Sequence, residues 1–140
     1  KKVYFAQFVK AAKNSELKAP LLLKNLTLKQ YGYKCLLNRT AGKIDKKNAL
    51  TGLNEIQTII KSKKFDIVVL DEINIAVYYK LINIDDVVNL LKNKPVETEI
   101  ILTGRYADKK LVKISDLVTE MKEIKHYFKK GVRARTGIEK

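Results

Sequence analysis

Sulfur and imidazole are nearly missing from this chain, whose 140 residues include one cysteine, one methionine and one histidine. A single thiol, Cys35, excludes an internal disulfide and fits a reducing compartment. Cys35 and His126 are the only residues of their kinds and lie far apart in the sequence. They offer no catalytic dyad, and the lone histidine has no second ligand in sequence to make a metal pair. No apolar run approaches the roughly 18–20 residues that a membrane-spanning helix needs. The chain opens on Lys1-Lys2 and passes directly into strand-like residues, so no signal peptide is expected. Acid is scarce as well, with 15 Asp and Glu against 29 Lys and Arg, a formal charge of +14. The lysines are scattered instead of gathered beside arginines or aromatics, which favours solvated faces over a dedicated nucleic-acid stripe. The charge would still steer polyphosphate substrates or an acidic partner protein toward the chain. With 46% hydrophobic and 31% charged residues, the chain reads as one globular domain with a substantial core, expected in the cytoplasm.

Its organisation follows from the apolar spacing. Val3–Val9 reads as a strand, and Lys10 begins a polar loop. Leu26–Tyr31 alternates as a second strand, and Gly32 marks a turn or a close backbone approach. Ala49, Leu53, Ile56 and Ile60 recur at three- and four-residue steps, giving a helix from about Asp45 to Lys63. Asn83 is a candidate N-cap for a helix reaching about Asn93, with Asp85 and Asp86 at its positive end and Pro95 beyond its close. Glu99–Thr103 reads as a buried strand ended by Gly104 and Arg105, Asp108–Ile114 as a short helix, and Leu117–Ile124 as a last strand. A basic tail runs from Lys125 to Lys140. Strands alternating with helices predict a layered α/β fold with a mainly parallel sheet.

The segment FDIVVLDEIN, Phe65–Asn74, concentrates the chemistry. Its β-branched apolar run suits a parallel strand covered on both faces. Asp71 and Glu72 then stand at the carboxyl end, the edge where open α/β sheets bind ligands. A hydrophobic strand ending in Asp-Glu is the Walker B arrangement, in which an acidic group holds the Mg²⁺ of a bound nucleotide. Solvated acids at a strand end are the plainer reading of the same residues.

Four segments, VYFAQFVK (3–10), DIVVLDEINIA (66–76), EIILTGR (99–105) and DLVTEMKEIKHYFKKGVRARTGIE (116–139), together resemble the ATP:corrinoid adenosyltransferases. The likeness is weakest between residues 11 and 64. It implies a RecA-like three-layer α/β/α fold and transfer of the 5′-deoxyadenosyl group of ATP to the cobalt of a reduced corrinoid, with release of triphosphate. Because Co(I) is itself the nucleophile, the protein supplies position, charge neutralisation and exclusion of water. Mg²⁺ or Mn²⁺, a homodimer and a flavoprotein reductant are implied alongside, and neither a membrane nor a nucleic acid is.

By the same resemblance Asp71 and Glu72 are expected to hold the metal ion, with Glu72 and Arg105 serving catalysis and Arg105 neutralising phosphate charge. Gln7, Phe8, Lys10, Tyr33, Asn74, Thr103, Gly104, Arg133 and Arg135 are expected around the nucleotide and corrinoid. Several have plainer readings: Phe8 as core, Arg105 as a surface residue after a turn, Asn74 as a helix cap, Tyr33 as a loop residue, Arg133 and Arg135 as solvated tail. Cys35 stands where some family members carry a bulky indole, and reads as a plain thiol more readily than as a cobalt ligand. Tyr78 and Tyr79 are candidates for a ligand or dimer surface.

The resemblance also exposes a gap. The family carries a glycine-rich phosphate loop between a first strand and a first helix, ahead of the strand matching Val3–Val9. No pair of this chain's six glycines has that spacing, and Gly42-Lys43 is followed by Ile44 instead of Ser or Thr. The chain therefore reads as a family domain lacking that strand, loop and helix, whose absence should leave open ladder groups beside buried strands. The alternatives are a relative that binds corrinoid or nucleotide without transferring the adenosyl group, and a basic nucleic-acid-binding domain.

Overall fold

The computed structural model describes residues 1–10, 15–32, 40–135 and 138. Four strands form one sheet: β1 (Val3–Gln7), β2 (Leu26–Gln30), β3 (Ile67–Asp71) and β4 (Glu99–Leu102). Their order is β2-β1-β3-β4, every neighbouring pair is parallel, and helices flank the sheet. This is an α/β architecture consistent with the RecA-like three-layer class.

Parallel pairing puts all four carboxyl ends on one edge. The register aligns Gln7 with both Gln30 and Asp71, and Leu70 with Leu102. Beyond the ladder proper, Phe8 N–H donates to the Asp71 carbonyl at 2.9 Å and Thr103 N–H to the Leu70 carbonyl at 3.2 Å. The core lies on β1 and β3, where Tyr4, Ala6, Phe8, Val68 and Leu70 are buried against the stripe Ala49, Leu53, Ile56 and Ile60 of α2 (Lys43–Lys61). The stripe is the one that the three- and four-residue spacing predicts. At Gly52 a Cβ would lie 2.6 Å from the Tyr31 ring, so glycine is what lets that ring lie against α2. Tyr31 in turn shares a 2.7 Å hydrogen bond with the buried Tyr4 hydroxyl.

The shorter helices are α1 (Ala19–Leu22), α3 (Ile73–Tyr78), α4 (Ile84–Lys92) and α5 (Lys109–Ile114). Asn83 caps α4 as expected, its side chain accepting from Asp85 N–H at 3.0 Å. Asp108 does the same for α5 through Lys110 N–H.

Three expectations change. Leu117–Ile124 is not a strand: the segment carries no ladder and stays exposed, Met121 at 94%. Strand-like patterning alone does not make a strand where no neighbour runs alongside to accept its hydrogen bonds. Glu99–Leu102 is an edge strand, not a buried one, because among the described residues only β3 pairs with it, and Ile101 is left 44% exposed. The interior strands β1 and β3 are each paired on both sides, so among the described residues the open ladder groups fall on the outer edges of β2 and β4. α1 and α3 are too short for apolar periodicity to reveal.

Candidate functional site

The site forms where four parallel strands deliver their last residues to one edge. β3 ends at Asp71, and the chain then turns sharply: Glu72 adopts φ +60, a left-handed conformation uncommon outside glycine, asparagine and aspartate. That turn starts α3 and swings Asn74 toward the end of β4. Asn74 N–H donates to the Thr103 carbonyl at 3.3 Å, and its side-chain amide donates to the Gly104 carbonyl at 3.1 Å. Gly104 has φ +120, and a Cβ there would lie 3.1 Å from Glu72 Oε2 and 3.2 Å from Asn74 Cβ. Glycine therefore serves both the backbone angle and the close approach of the two strand tips.

Thr103 ties those tips together. Its hydroxyl donates to Asp71 Oδ1 at 2.8 Å and accepts from Glu72 N–H at 3.1 Å. On the other side of Asp71, the Lys10 ammonium stands 3.0 Å from Oδ2. Gln7, 1% exposed at the end of β1, places its amide nitrogen 3.4 Å from both Asp71 Oδ2 and Glu16 Oε1, while its oxygen accepts from Gln30 at 3.0 Å. The result is a polar chain from Gln30 through Gln7 and Asp71 to Thr103.

Two buried oxygens in this corner have no hydrogen-bond partner, Glu72 Oε2 and Asn74 Oδ1. An unpartnered buried carboxylate oxygen is costly unless a ligand or ion completes it. The donor set is of hard oxygens, which suits Mg²⁺ or Mn²⁺ over softer metals. Among the described residues no cluster of three or more His, Cys, Asp or Glu could enclose a metal. Mg²⁺ does not need one, since it is commonly held by one or two carboxylates with substrate phosphates and water completing the shell. Asp71 and Glu72 fit that role.

The geometry thus brings together Gln7, Lys10, Asp71, Glu72, Asn74, Thr103 and Gly104. Phe8 is fully buried, packed 5.7 Å from the Tyr31 ring, and takes the core reading. Arg105 is exposed just past the cluster, its guanidinium 5.7 Å from the Tyr106 ring centre. Tyr106 stacks on Tyr78, which meets Tyr79 edge-on, so the three tyrosines form one exposed aromatic patch next to Arg105. Arg133 and Arg135 are exposed in the segment after α5, and Arg135 lies 5.1 Å from the Tyr127 ring centre. Tyr33 and Cys35 lie outside the described residues. Glu16 was not legible as a site residue, for it arrives on a 3-10 turn at Ser15–Lys18 that no motif announces. A separate cavity of about 530 Å³ between α2, the α3–α4 connection and the start of α5 is lined by Lys46, Lys80, Leu81, Asn83, Asp86 and Asp108 among others.

Comparison with known proteins places the chain among named relatives. The model of the family described as ATP:corrinoid adenosyltransferase BtuR/CobO/CobP matches residues 1–139. Among curated relatives, a corrinoid adenosyltransferase of Sinorhizobium sp. is 46% identical over 82 residues, 58% of this chain and 38% of the relative. Corrinoid adenosyltransferases of Pseudomonas aeruginosa and of Escherichia coli K12 are 38% identical over 73 residues and 32% identical over 81. Those matches cover 52% and 58% of this chain, and 36% and 41% of the relatives. The chain thus spans well under half the length of the relatives it matches.

Proposed function

The chain belongs to the ATP:corrinoid adenosyltransferase family, and on that premise we propose that its strand tips form the nucleotide- and metal-facing part of a site that adenosylates a corrinoid. The observation that carries this reading is the corner in which the Thr103 hydroxyl fastens Asp71 of β3 to the end of β4 and Glu72 Oε2 is buried without a partner. In the proposed reaction the cobalt(I) electron pair attacks the ribose 5′ carbon of ATP. The cobalt–carbon bond forms as the C5′–O bond breaks, and triphosphate leaves with the bonding pair.

The protein's tasks in such a displacement are alignment and charge. Asp71 and Glu72 would hold Mg²⁺ or Mn²⁺, whose charge offsets that of the triphosphate. Lys10 supplies a cationic group beside Asp71, and Arg105, exposed just after Gly104, can meet phosphate oxygens with its planar fork. Asn74 and Gly104 shape the turn between them. Tyr33, Arg133 and Arg135 belong to the proposed ligand surface by the family resemblance, while Phe8 packs in the core behind the strand tips. The glycine loop that would cradle the phosphates is taken to lie in sequence outside these 140 residues. A homodimer acting in the cytoplasm, with a flavoprotein as electron donor, completes the reading.

The test is adenosyl transfer from ATP to a chemically reduced corrinoid by protein that carries both the glycine loop and these residues. Loss of the Co(I) absorbance should accompany triphosphate release. Glu72→Gln should lose most of that activity while remaining folded, and unchanged turnover would remove Glu72 from the mechanism. Binding of nucleotide with no transfer would instead support a non-catalytic binder.

A further inference from the structure

Building on the nucleotide-site reading above, we propose that Lys10 is the resident counter-ion of Asp71, a positioning residue that holds this carboxylate until a divalent cation displaces it. Asp71 has two oxygens with different kinds of partner. Oδ1 accepts from Thr103, whose hydroxyl is itself tied to Glu72 N–H, so that bond is built into the sheet. Oδ2 faces the Lys10 ammonium at 3.0 Å, with only the longer 3.4 Å approach of Gln7 beside it. Lys10 sits on a flexible stem with its side chain 36% exposed, against 15% for Asp71. Of the two main partners, Lys10 is the one that can leave.

Two linked backbone features fix the turn that carries Lys10. Val9, a β-branched residue, has φ +64, and Lys10 N–H closes a tight turn onto the Phe8 carbonyl at 2.7 Å. Such an angle is a true outlier for valine and persists only where surrounding structure enforces it. The enforcement comes from Gly32, where a Cβ would lie 2.2 Å from the Lys10 carbonyl oxygen. The backbone of β2's exit therefore packs directly on that of Lys10, and glycine alone permits it.

The charges explain why the arrangement is suited to exchange. Asp71 and Glu72 bring two negative charges against the one positive charge of Lys10, so at the two strand-end acids negative charge is in excess. Glu72 Oε2, buried and unpartnered, marks where the excess is felt. A dication would balance both carboxylates, and the displaced ammonium would then be free to meet an anion such as phosphate. Among the described residues Glu16 also approaches this group, through the Gln7 amide.

The test is titration of the nucleotide-free chain with Mn²⁺, followed by the paramagnetic resonance signal of the free ion. Lys10→Met, which keeps the stem and removes the charge, should bind Mn²⁺ about tenfold more tightly than wild type. Lys10→Gln should do the same, while Lys10→Arg should stay within about twofold of wild type. Adding Asp71→Asn to Lys10→Met should abolish the gain. Wild-type or weaker Mn²⁺ affinity in both Lys10→Met and Lys10→Gln overturns the proposal, as does a gain that survives Asp71→Asn. Binding of an ATP analogue to protein carrying the glycine loop separates the two readings. A Mn²⁺ gain without nucleotide binding supports the counter-ion while removing the nucleotide site, and nucleotide binding without the gain does the reverse.

Discussion

Replacing Thr103 with valine should loosen the corner on which the account depends while leaving its volume intact. The hydroxyl makes two bonds, a charge-assisted one to Asp71 Oδ1 at 2.8 Å and a neutral one from Glu72 N–H at 3.1 Å. A hydrogen bond to a charged group contributes about 1.5–3 kcal/mol and a neutral one about 0.5–1.5 kcal/mol. Asp71 keeps Lys10 and some water, so the lower part of that range applies, and the loss should be about 2 kcal/mol. In urea unfolding this lowers the midpoint by about 1 M at unchanged slope. Thr103→Ser, which keeps the oxygen and drops only the methyl, should recover most of the difference. A valine variant as stable as wild type, or a serine variant as damaged as the valine one, would refute the tie between β3 and β4.

Two further perturbations address other parts of the same framework. Gly32→Ala forces a Cβ to within 2.2 Å of a backbone oxygen, which no side-chain adjustment can relieve, and should destabilise by about 3 kcal/mol or more in the same unfolding measurement; a loss below about 1 kcal/mol would contradict the close packing of Gly32 on Lys10. Burial, then the hydrogen bond with Tyr4, pushes the Tyr31 phenol far above its ordinary range, and burial raises Tyr4 as well. A phenol whose folded pKa exceeds its unfolded value of about 10 stabilises fully below that pH and progressively less above it. Stability should therefore fall from about pH 10 upward, by up to about 1.4 kcal/mol per pH unit for each tyrosine. The double variant Tyr4→Phe/Tyr31→Phe should lose that part of the slope, and an unchanged alkaline profile would argue against a buried pair.

Much of this fold is written locally. The β-branched run 67–70 becomes an interior strand because its residues suit burial on both faces, and the stripe from Ala49 to Ile60 becomes the buried face of α2. Asn83 and its following acids mark the start of α4 through capping chemistry that acts within a few residues. The failures share one cause, that strand pairing is not local. EIIL and LVTEMKEI both look like strands, yet the first has a neighbour on one side only and the second has no ladder at all. The site shows the same division. Asp71, Glu72, Asn74, Thr103 and Gly104 lie at the ends of recognisable strands, so parallel topology delivers them together. What could not be read is how they connect: the hydroxyl of Thr103 bridging two strands, the Gln7 amide between two carboxylates, and the arrival of Glu16. Gly32 was legible as a turn or a close approach, but not that Lys10 is what it approaches.

The outer edge of β4 and the segment after α5 stay solvent-facing among the described residues. Both carry apolar residues exposed to solvent, Ile101 on the strand and Leu117, Met121 and Ile124 on the segment.

The most direct measurement is paramagnetic broadening of backbone amide signals in isotope-labelled protein carrying the glycine loop as Mn²⁺ and ATP are added together. The resonances of Lys10, residues 71–74 and residues 103–105 should disappear first, because bound metal would lie among them. Sharp signals there, with broadening instead around Lys46, Lys80 and Asp108, would place the nucleotide elsewhere and contradict a site at the strand tips.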